Sequence, residues 1–450
     1  MKRLFSMLMA ICLFACAFSG CGKDGDKDTG KKTETVNLFS DEYLAAREAY
    51  EKSKDPYGYP ELKGTTVKFA TWMDHTQDEA ANAMATFEKT TGLKVEWVNV
   101  PQGGYAAKIA SMIATDQAPD VYVENQDEFP MTLRIAQPIN KISTFDINDP
   151  IWDADTIKAM EIDGNIYSVL TRYSVWHIPD LVFYNKKAFN DHGIMTPEDY
   201  IENDDWTFEN MIKIMEDFVA LGEGYTGGAV DGNILINAYG SSIVNLQDGK
   251  FVSGLEDEKL FDALKLYTTI SEKKLSSGSP SKGLVKGTTG FYIIGPFGLK
   301  KNGYFKDVDP GVLGYAKLPK LGDGEQYYSY RWRSYGVVRG SKNPEGAVLF
   351  IRHYLDPKFY SYDTDTFIDE NAAKFFIEEC CEIPAESKRF DFSSGLASLA
   401  GNTKQFAWRS ALVSGGTDQI EVNAAIIKNE VANGITKGNE ILDECSRRFN

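Results

Sequence analysis

Two short stretches carry side chains able to grip a polar solute: Trp72-Met73-Asp74-His75 and Glu124-Asn125-Gln126-Asp127. An indole face stacks on the C–H groups of a pyranose while carboxylates and amides take its hydroxyls, so this combination suits a sugar. A plainer reading puts Trp72 in a core and the acids in solvated loops. Reactive constellations are sparse. Ser271-Glu272-Lys273-Lys274 and Ser279-Pro280-Ser281-Lys282 have the Ser-x-x-Lys spacing of penicillin-recognising enzymes, but no Ser-Asp-Asn or Lys-Thr-Gly follows. The chain has no Gly-x-Ser-x-Gly elbow and no glycine-rich phosphate loop, and His75, His177, His192 and His353 lack metal-ligand spacing. A glycosidase needs only two carboxylates at the right separation, so a glycan-degrading enzyme stands as the weaker alternative. No catalytic residue, metal or cofactor is expected.

The elements that position the two stretches read as strand, helix, strand, helix, strand over residues 62–125. Val67 to Trp72 is a run of strand formers, and Thr76-Gln77-Asp78-Glu79 has the spacing of a capping box. The helix after it carries Ala80, Ala81, Met84 and Phe87 on one face and stops at Gly92. Leu93, Val95 and Trp97 then alternate with Lys94 and Glu96, the period of a half-buried strand. A second helix presents Tyr105, Ile109, Met112 and Ile113 and ends before Pro119, and Asp120-Val121-Tyr122-Val123 is the third strand. Such alternation implies parallel neighbours joined by right-handed crossovers, an open α/β sheet whose ligands lie beyond the carboxyl ends of the strands. Both polar stretches fall on that rim.

At 450 residues the chain exceeds one ordinary core and fits two lobes. A net charge of −17 without a basic face argues against nucleic acid as a partner. The start is basic at Lys2 and Arg3, residues 4–18 are apolar but too short to span a bilayer, and Ser19-Gly20 precede Cys21. This resembles a bacterial lipoprotein signal with Cys21 as the acylated first residue, and Cys16 is the weaker alternative. Asp24, Asp26 and Asp28 mimic a calcium loop, but Thr29 stands where its glycine belongs and Thr35 where its closing glutamate belongs. The mature thiols are Cys380, Cys381 and Cys445, and one bridge from Cys445 to Cys380 or Cys381 is expected. Residues 41–54 can form a short charged helix, ended by Pro56 and Pro60.

Further on, Leu181-Val182-Phe183-Tyr184-Asn185 is a continuous apolar strand of the buried kind. Thr207 can cap a helix bearing Phe208, Met211, Ile212, Met215 and Val219, and the glycine-rich residues 222–240 read as loops. Residues 288–294 form a strand that stops at Gly295-Pro296-Phe297-Gly298. Residues 327–339 alternate as one strand, with Tyr328, Tyr330, Trp332 and Ser334 on one side. A helix begins at Asn343-Pro344-Glu345, and the remainder is helical.

Several phrases resemble one family, the extracellular solute-binding proteins of ABC importers, the group of maltose-binding type. They are Phe87-Glu88-Lys89-Thr90-Thr91-Gly92-Leu93-Lys94-Val95, Ala118-Pro119-Asp120-Val121, Val182-Phe183-Tyr184-Asn185-Lys186-Lys187, Thr207-Phe208-Glu209-Asn210, Gly295-Pro296-Phe297 and Ser341-Lys342-Asn343-Pro344-Glu345. The resemblance implies a two-lobed periplasmic-binding-protein-like α/β fold (type II), with each lobe a mostly parallel sheet flanked by helices and three hinge crossings between them. On that pattern residues 1–20 are the lipoprotein signal and 21–60 a lipid-anchored spacer. Residues 62–175 with 323–355 make the N-terminal lobe, and 176–322 with 356–450 the C-terminal lobe. It further implies a monomer, tethered to the outer face of the cytoplasmic membrane, that closes on a small solute, usually a sugar, and delivers it to a membrane permease. A peptide or polyamine is the alternative solute. Carried over position by position, the ligand contacts are Trp72, Asp74, Asn125, Asp127, Tyr173, Trp176, Phe297, Arg331, Trp332 and Trp408. The Arg331-Trp332-Arg333 run departs from the small residues usual there.

Overall fold

Among the described residues of the computed structural model, thirteen runs of strand-forming residues adopt the extended conformation. The strands are β1 (Thr66–Thr71), β2 (Lys94–Asn99), β3 (Val121–Asn125), β4 (Ala136–Gln137), β5 (Leu181–Asn185), β6 (Thr226–Ala229) and β7 (Val244–Gln247). They continue as β8 (Lys250–Ser253), β9 (Thr289–Ile294), β10 (Leu313–Ala316), β11 (Tyr328–Ser329), β12 (Arg333–Val338) and β13 (Lys388–Arg389). The structure describes residues 39–73, 78–173, 179–276, 280–322, 324–330, 332–357, 367–402, 404 and 406–449.

The first sheet is five-stranded in the order β2-β1-β3-β12-β4 and the second four-stranded in the order β10-β5-β9-β6. The opening unit is as the periodicity predicts. β1 pairs in parallel with β2 and β3, and the helices Asp78–Thr91 and Tyr105–Ala114 make the crossovers. Ala83 and Phe87 are buried and Met84 partly so, while Gly92 ends the helix at φ 73, open to glycine without steric cost. The capping box at Thr76 lies outside the described residues.

The sheets are mixed rather than mostly parallel. β12 runs antiparallel to β3 and β4, and β5 runs antiparallel to both β9 and β10. These strands arrive from elsewhere in the fold rather than through a crossover helix, which frees them from the right-handed parallel connection. Residues 327–339 also form two strands, not one. β11 pairs with β13 in a separate ribbon, and β12 alone joins the first sheet. In β12, a Cβ on Gly336 would come within 2.4 Å of both the Tyr122 ring and the Tyr167 carbonyl, so only glycine fits beneath that ring. The glycine-rich 222–240 region holds β6 and the helix Gly232–Ala238 rather than loops alone. An Asp231 cap and the apolar run Ile234-Leu235-Ile236 outweigh its glycines.

β5 is buried on both faces, as its continuous apolar run predicts. Leu181 and Phe183 enter one core with Leu299, Phe305 and Phe376, and Val182 and Tyr184 enter another with Phe189, Phe208 and Met211. The first sheet shares a third core with the helix Pro344–Leu355 and the C-terminal helix Ile420–Phe449. The expected disulfide is absent: Cys380, Cys381 and Cys445 are free and buried. The reason is placement, because Cys445 sits in the first-sheet core and Cys380 and Cys381 in the second-sheet core. The charged helix, Asp41–Ser53, is not part of a free spacer either, since Tyr43 is buried against Tyr173.

The phrases that carry the family resemblance are largely joints. Buried Asp120 accepts hydrogen bonds from the Lys68 amide at 2.7 Å, the Ser341 hydroxyl at 2.6 Å and the Asn343 amide at 3.3 Å. Asn343 caps the helix that follows by accepting from the Gly346 amide at 3.1 Å, and its own amide donates to the Thr66 carbonyl at 3.1 Å. Asn185 caps the next helix through the Ala188 amide at 3.1 Å, and Thr207 caps another through the Asn210 amide at 3.4 Å. Each satisfies a helix-end amide that would otherwise lack a partner.

Candidate functional site

The carboxyl ends of β1 and β3 open on a cavity of about 330 Å³, near the small end of the roughly 300–1,000 Å³ typical of ligand pockets. The first sheet contributes Trp72 after β1, Asn125 to Asp127 after β3, and Trp332 and Arg333 where β12 begins. The second contributes Asp180 before β5 and the turn Ile294 to Phe297 after β9. Asp231, Asn233 and Asn237 come from the helix Gly232–Ala238 and its cap, and Phe406 and Asp391 from the C-terminal part.

Of the residues expected from sequence, Trp72, Asn125, Asp127, Phe297 and Trp332 meet around this one cavity. Asp74, Trp176, Arg331 and Cys21 lie outside the described residues. Two aromatics are elsewhere. Tyr173 is 1% exposed among Tyr43 and the second-sheet core, with its hydroxyl 3.4 Å from Glu382. Trp408 is 2% exposed, its indole N–H donates to Glu430 at 2.6 Å, and it packs beside Gly434 of the C-terminal helix. Both bury ring area that a solute cannot reach, because rings of this size fill cores as readily as clefts.

Sequence reading passed over Asn233 and Asn237, although a signal was present. Four residues apart on one short helix, they share a face, and the apolar Ile234, Leu235 and Ile236 turn the rest of that helix inward. Asp231 pairs with Arg409 at 2.7 Å, the same guanidinium donates to the Asn233 side-chain Oδ1 at 3.1 Å, and it lies 4.4 Å from the Phe406 ring centre. The Asp231 charge is therefore compensated within the protein. Asp391 accepts from the Val244 and Ser393 amides and the Ser393 hydroxyl, and burial pushes its carboxyl above the usual range.

Three polar atoms on the cavity's own residues are buried without a hydrogen-bond partner among the described residues: Trp332 Nε1, Asn125 Nδ2 and Asn237 Oδ1. The assignment of Asn125 follows from its Oδ1, which accepts from the Asp127 amide at 3.0 Å and so makes the NH₂ the unpartnered group. A buried polar group without a partner costs roughly 1–3 kcal/mol, so three around one cavity mark a place where something polar binds.

Two sheets joined by repeated chain passages, with one polar and aromatic cavity lined from both, are the architecture of a two-lobed binding protein. The chain belongs to the bacterial extracellular solute-binding proteins, whose family model matches residues 63–359. No curated protein sequence matches it. Its structure is similar to the galacto-N-biose-/lacto-N-biose I-binding protein of a Bifidobacterium longum ABC transporter, with TM-score 0.63 and 12% identity over 84% of this chain and 98% of that one. It is also similar to the GacH receptor of Streptomyces glaucescens GLA.O, with TM-score 0.57 and 17% identity over 84% and 99%. A maltose-bound extracellular solute-binding protein from Staphylococcus aureus matches with TM-score 0.57 and 13% identity over 85% and 98%.

Proposed function

We propose that the chain captures a neutral carbohydrate in this cavity by closure of its lobes and delivers it to the transmembrane subunits of an ABC permease. The carrying observation is the set of unpartnered atoms on Trp332, Asn125 and Asn237. Two donors and one acceptor match a solute whose groups both donate and accept, as sugar hydroxyls do. A polyamine fits the carboxylates but has no acceptor for the indole and amide N–H groups. An anionic solute would face Asp127, Asp180 and Asp391 with Arg333 as the cation among the residues named for the cavity. Trp72, half-buried and edge-on to Tyr105 at 5.0 Å, and Phe297 supply apolar faces for pyranose C–H groups. The fold relatives bound to maltose, lacto-N-biose and acarbose support this reading.

A thermal-shift screen of neutral mono- and disaccharides, peptides and polyamines tests it. A sugar at a hundred times its dissociation constant is expected to add about 2.7 kcal/mol of stability. A peptide or polyamine that stabilises while every sugar fails would refute the carbohydrate assignment, and release of a cleaved sugar would make the protein an enzyme.

Cys21 as the lipid anchor belongs to the same reading, supported by the apolar run before it and the abrupt polar turn after it. Cell fractionation checks it: Cys21→Ser is expected to move the protein from the membrane to the soluble fraction, and an unchanged distribution would remove the anchor.

A further inference from the structure

The helix Asp41–Ser53 touches both halves of the fold at once. At its start, Tyr43 enters the second-sheet core and packs on Tyr173 with ring centres 4.7 Å apart, and Phe39 stands edge-on to the same ring at 5.1 Å. Towards its end, the Tyr50 hydroxyl and the Lys54 amine each reach Asp146 at 3.2 Å. Glu51 lies 3.9 Å from Arg352, on the helix that packs against β1 and β12. Between the two ends, Arg47 donates to Asp356 at 2.6 Å, and Asp356 is 0% exposed.

Tyr173 and Asp356 are both places where the chain passes from one sheet to the other. Val169 still bridges Tyr335 of β12, whereas β5 at Leu181 is in the second sheet, so Tyr173 sits on the passage between them. Asp356 ends the first-sheet helix Pro344–Leu355, and the chain next enters the second-sheet core at Phe367. One helix therefore contacts two passages at once.

We propose that the helix Asp41–Ser53 is a hinge strap that favours the lobe arrangement seen here, in which residues of both sheets face the cavity. Rotation of the lobes turns about these passages. Contacts of a rigid helix with both sides cannot all survive that rotation, so they add to the population of one arrangement at the expense of others. A solute that needs this arrangement binds in proportion to that population. The inference goes beyond solute capture and holds for any solute class.

Distance measurements between spin labels test it in the full chain. The labels go on Lys94→Cys in β2 and Lys306→Cys beyond β9, both exposed, and the three buried native thiols of the fold are out of reach. Without any ligand, Arg47→Ala is expected to broaden the distance distribution and extend it to longer values. Tyr43→Leu, which breaks the other end, is expected to do the same and serves if Arg47→Ala does not fold. Lys52→Ala, which removes only an exposed pair with Glu48 on the same helix, is expected to change nothing. If the screen supplies a sugar, its apparent Kd rises about tenfold when the competent fraction falls to about a tenth. Distributions unchanged or shortened by Arg47→Ala, or moved equally by Lys52→Ala, would overturn the strap. Failure of every sugar in the screen would leave these distance results standing by themselves.

Discussion

Trp332→Ala is expected to lower stability by about 3–5 kcal/mol, the range for deleting a large buried aromatic. The indole is 3% exposed and ringed by Phe129, Phe390 and Phe392, with centres 6.0, 5.6 and 5.2 Å away. Those rings are themselves fixed by neighbours, so they cannot collapse into the space. Alanine at this position thus confounds binding with folding. Phenylalanine separates them, because it keeps most of the ring contacts and removes the Nε1–H, which has no acceptor among the described residues. Trp332→Phe should lose clearly less stability in urea unfolding than Trp332→Ala, because it removes fewer buried atoms and leaves a smaller cavity. It should nevertheless bind the sugar about tenfold more weakly in calorimetric titration, the cost of one buried hydrogen bond. Equal affinity in the two proteins would mean that the indole N–H faces no solute.

Glu124→Gln is expected to stabilise the protein at pH 8 by about 2–4 kcal/mol and to do little at pH 4. Glu124 is the last but one residue of β3, beside Asn125, and it is 1% exposed. Burial pushes its carboxyl up to about 8, against smaller opposing pulls from the Thr132 and Tyr122 hydroxyls. The folded protein therefore holds this proton up to about pH 8, whereas the unfolded chain loses it near its ordinary value of about 4.3. Across that interval the unfolded state binds fewer protons, so stability from this group falls as pH rises and levels off above the folded value. Glutamine keeps an acceptor for the Thr132 hydroxyl, and its NH₂ can donate to the Tyr122 oxygen once that hydroxyl gives its proton to the Tyr167 carbonyl instead, with no ionisation to suppress. Urea midpoints of both proteins at pH 4, 6 and 8 check this. A difference that does not grow with pH would mean the carboxyl is ionised in the fold.

What sequence revealed divides along a physical line. Alternation and cap residues are local, and they placed β1, β2, β3 and β5 and the helices between them. The family phrases stood out because Asp120, Asn185, Thr207 and Asn343 close the ends of helices and strands, a duty few residue types perform. The cavity is not local. Trp72, Asn125 and Asp127 were legible because strand ends in such sheets point toward ligands. Asn237, Arg333, Asp391 and Phe406 reach the same space from distant segments, and no short pattern announces that convergence. Trp408 and Tyr173 show the converse, since a sequence marks an aromatic without marking the side from which it is covered. The second sheet's direction was also hidden, because the antiparallel course of β5 depends on where the chain comes from, not on its residues.

The place of β12 has a consequence for how the protein is made. It fills the gap between β3 and β4 in the first sheet, yet the joint beside it ties Ser341 to Asp120 across 221 residues of chain. Closing so wide a loop is entropically slow, and the earlier strands gain little until it happens. The five-stranded sheet is therefore complete only once β12, Arg333–Val338 in a chain of 450 residues, has been made. Such delayed assembly keeps the nascent chain threadable, the condition that a secretion channel demands of its cargo.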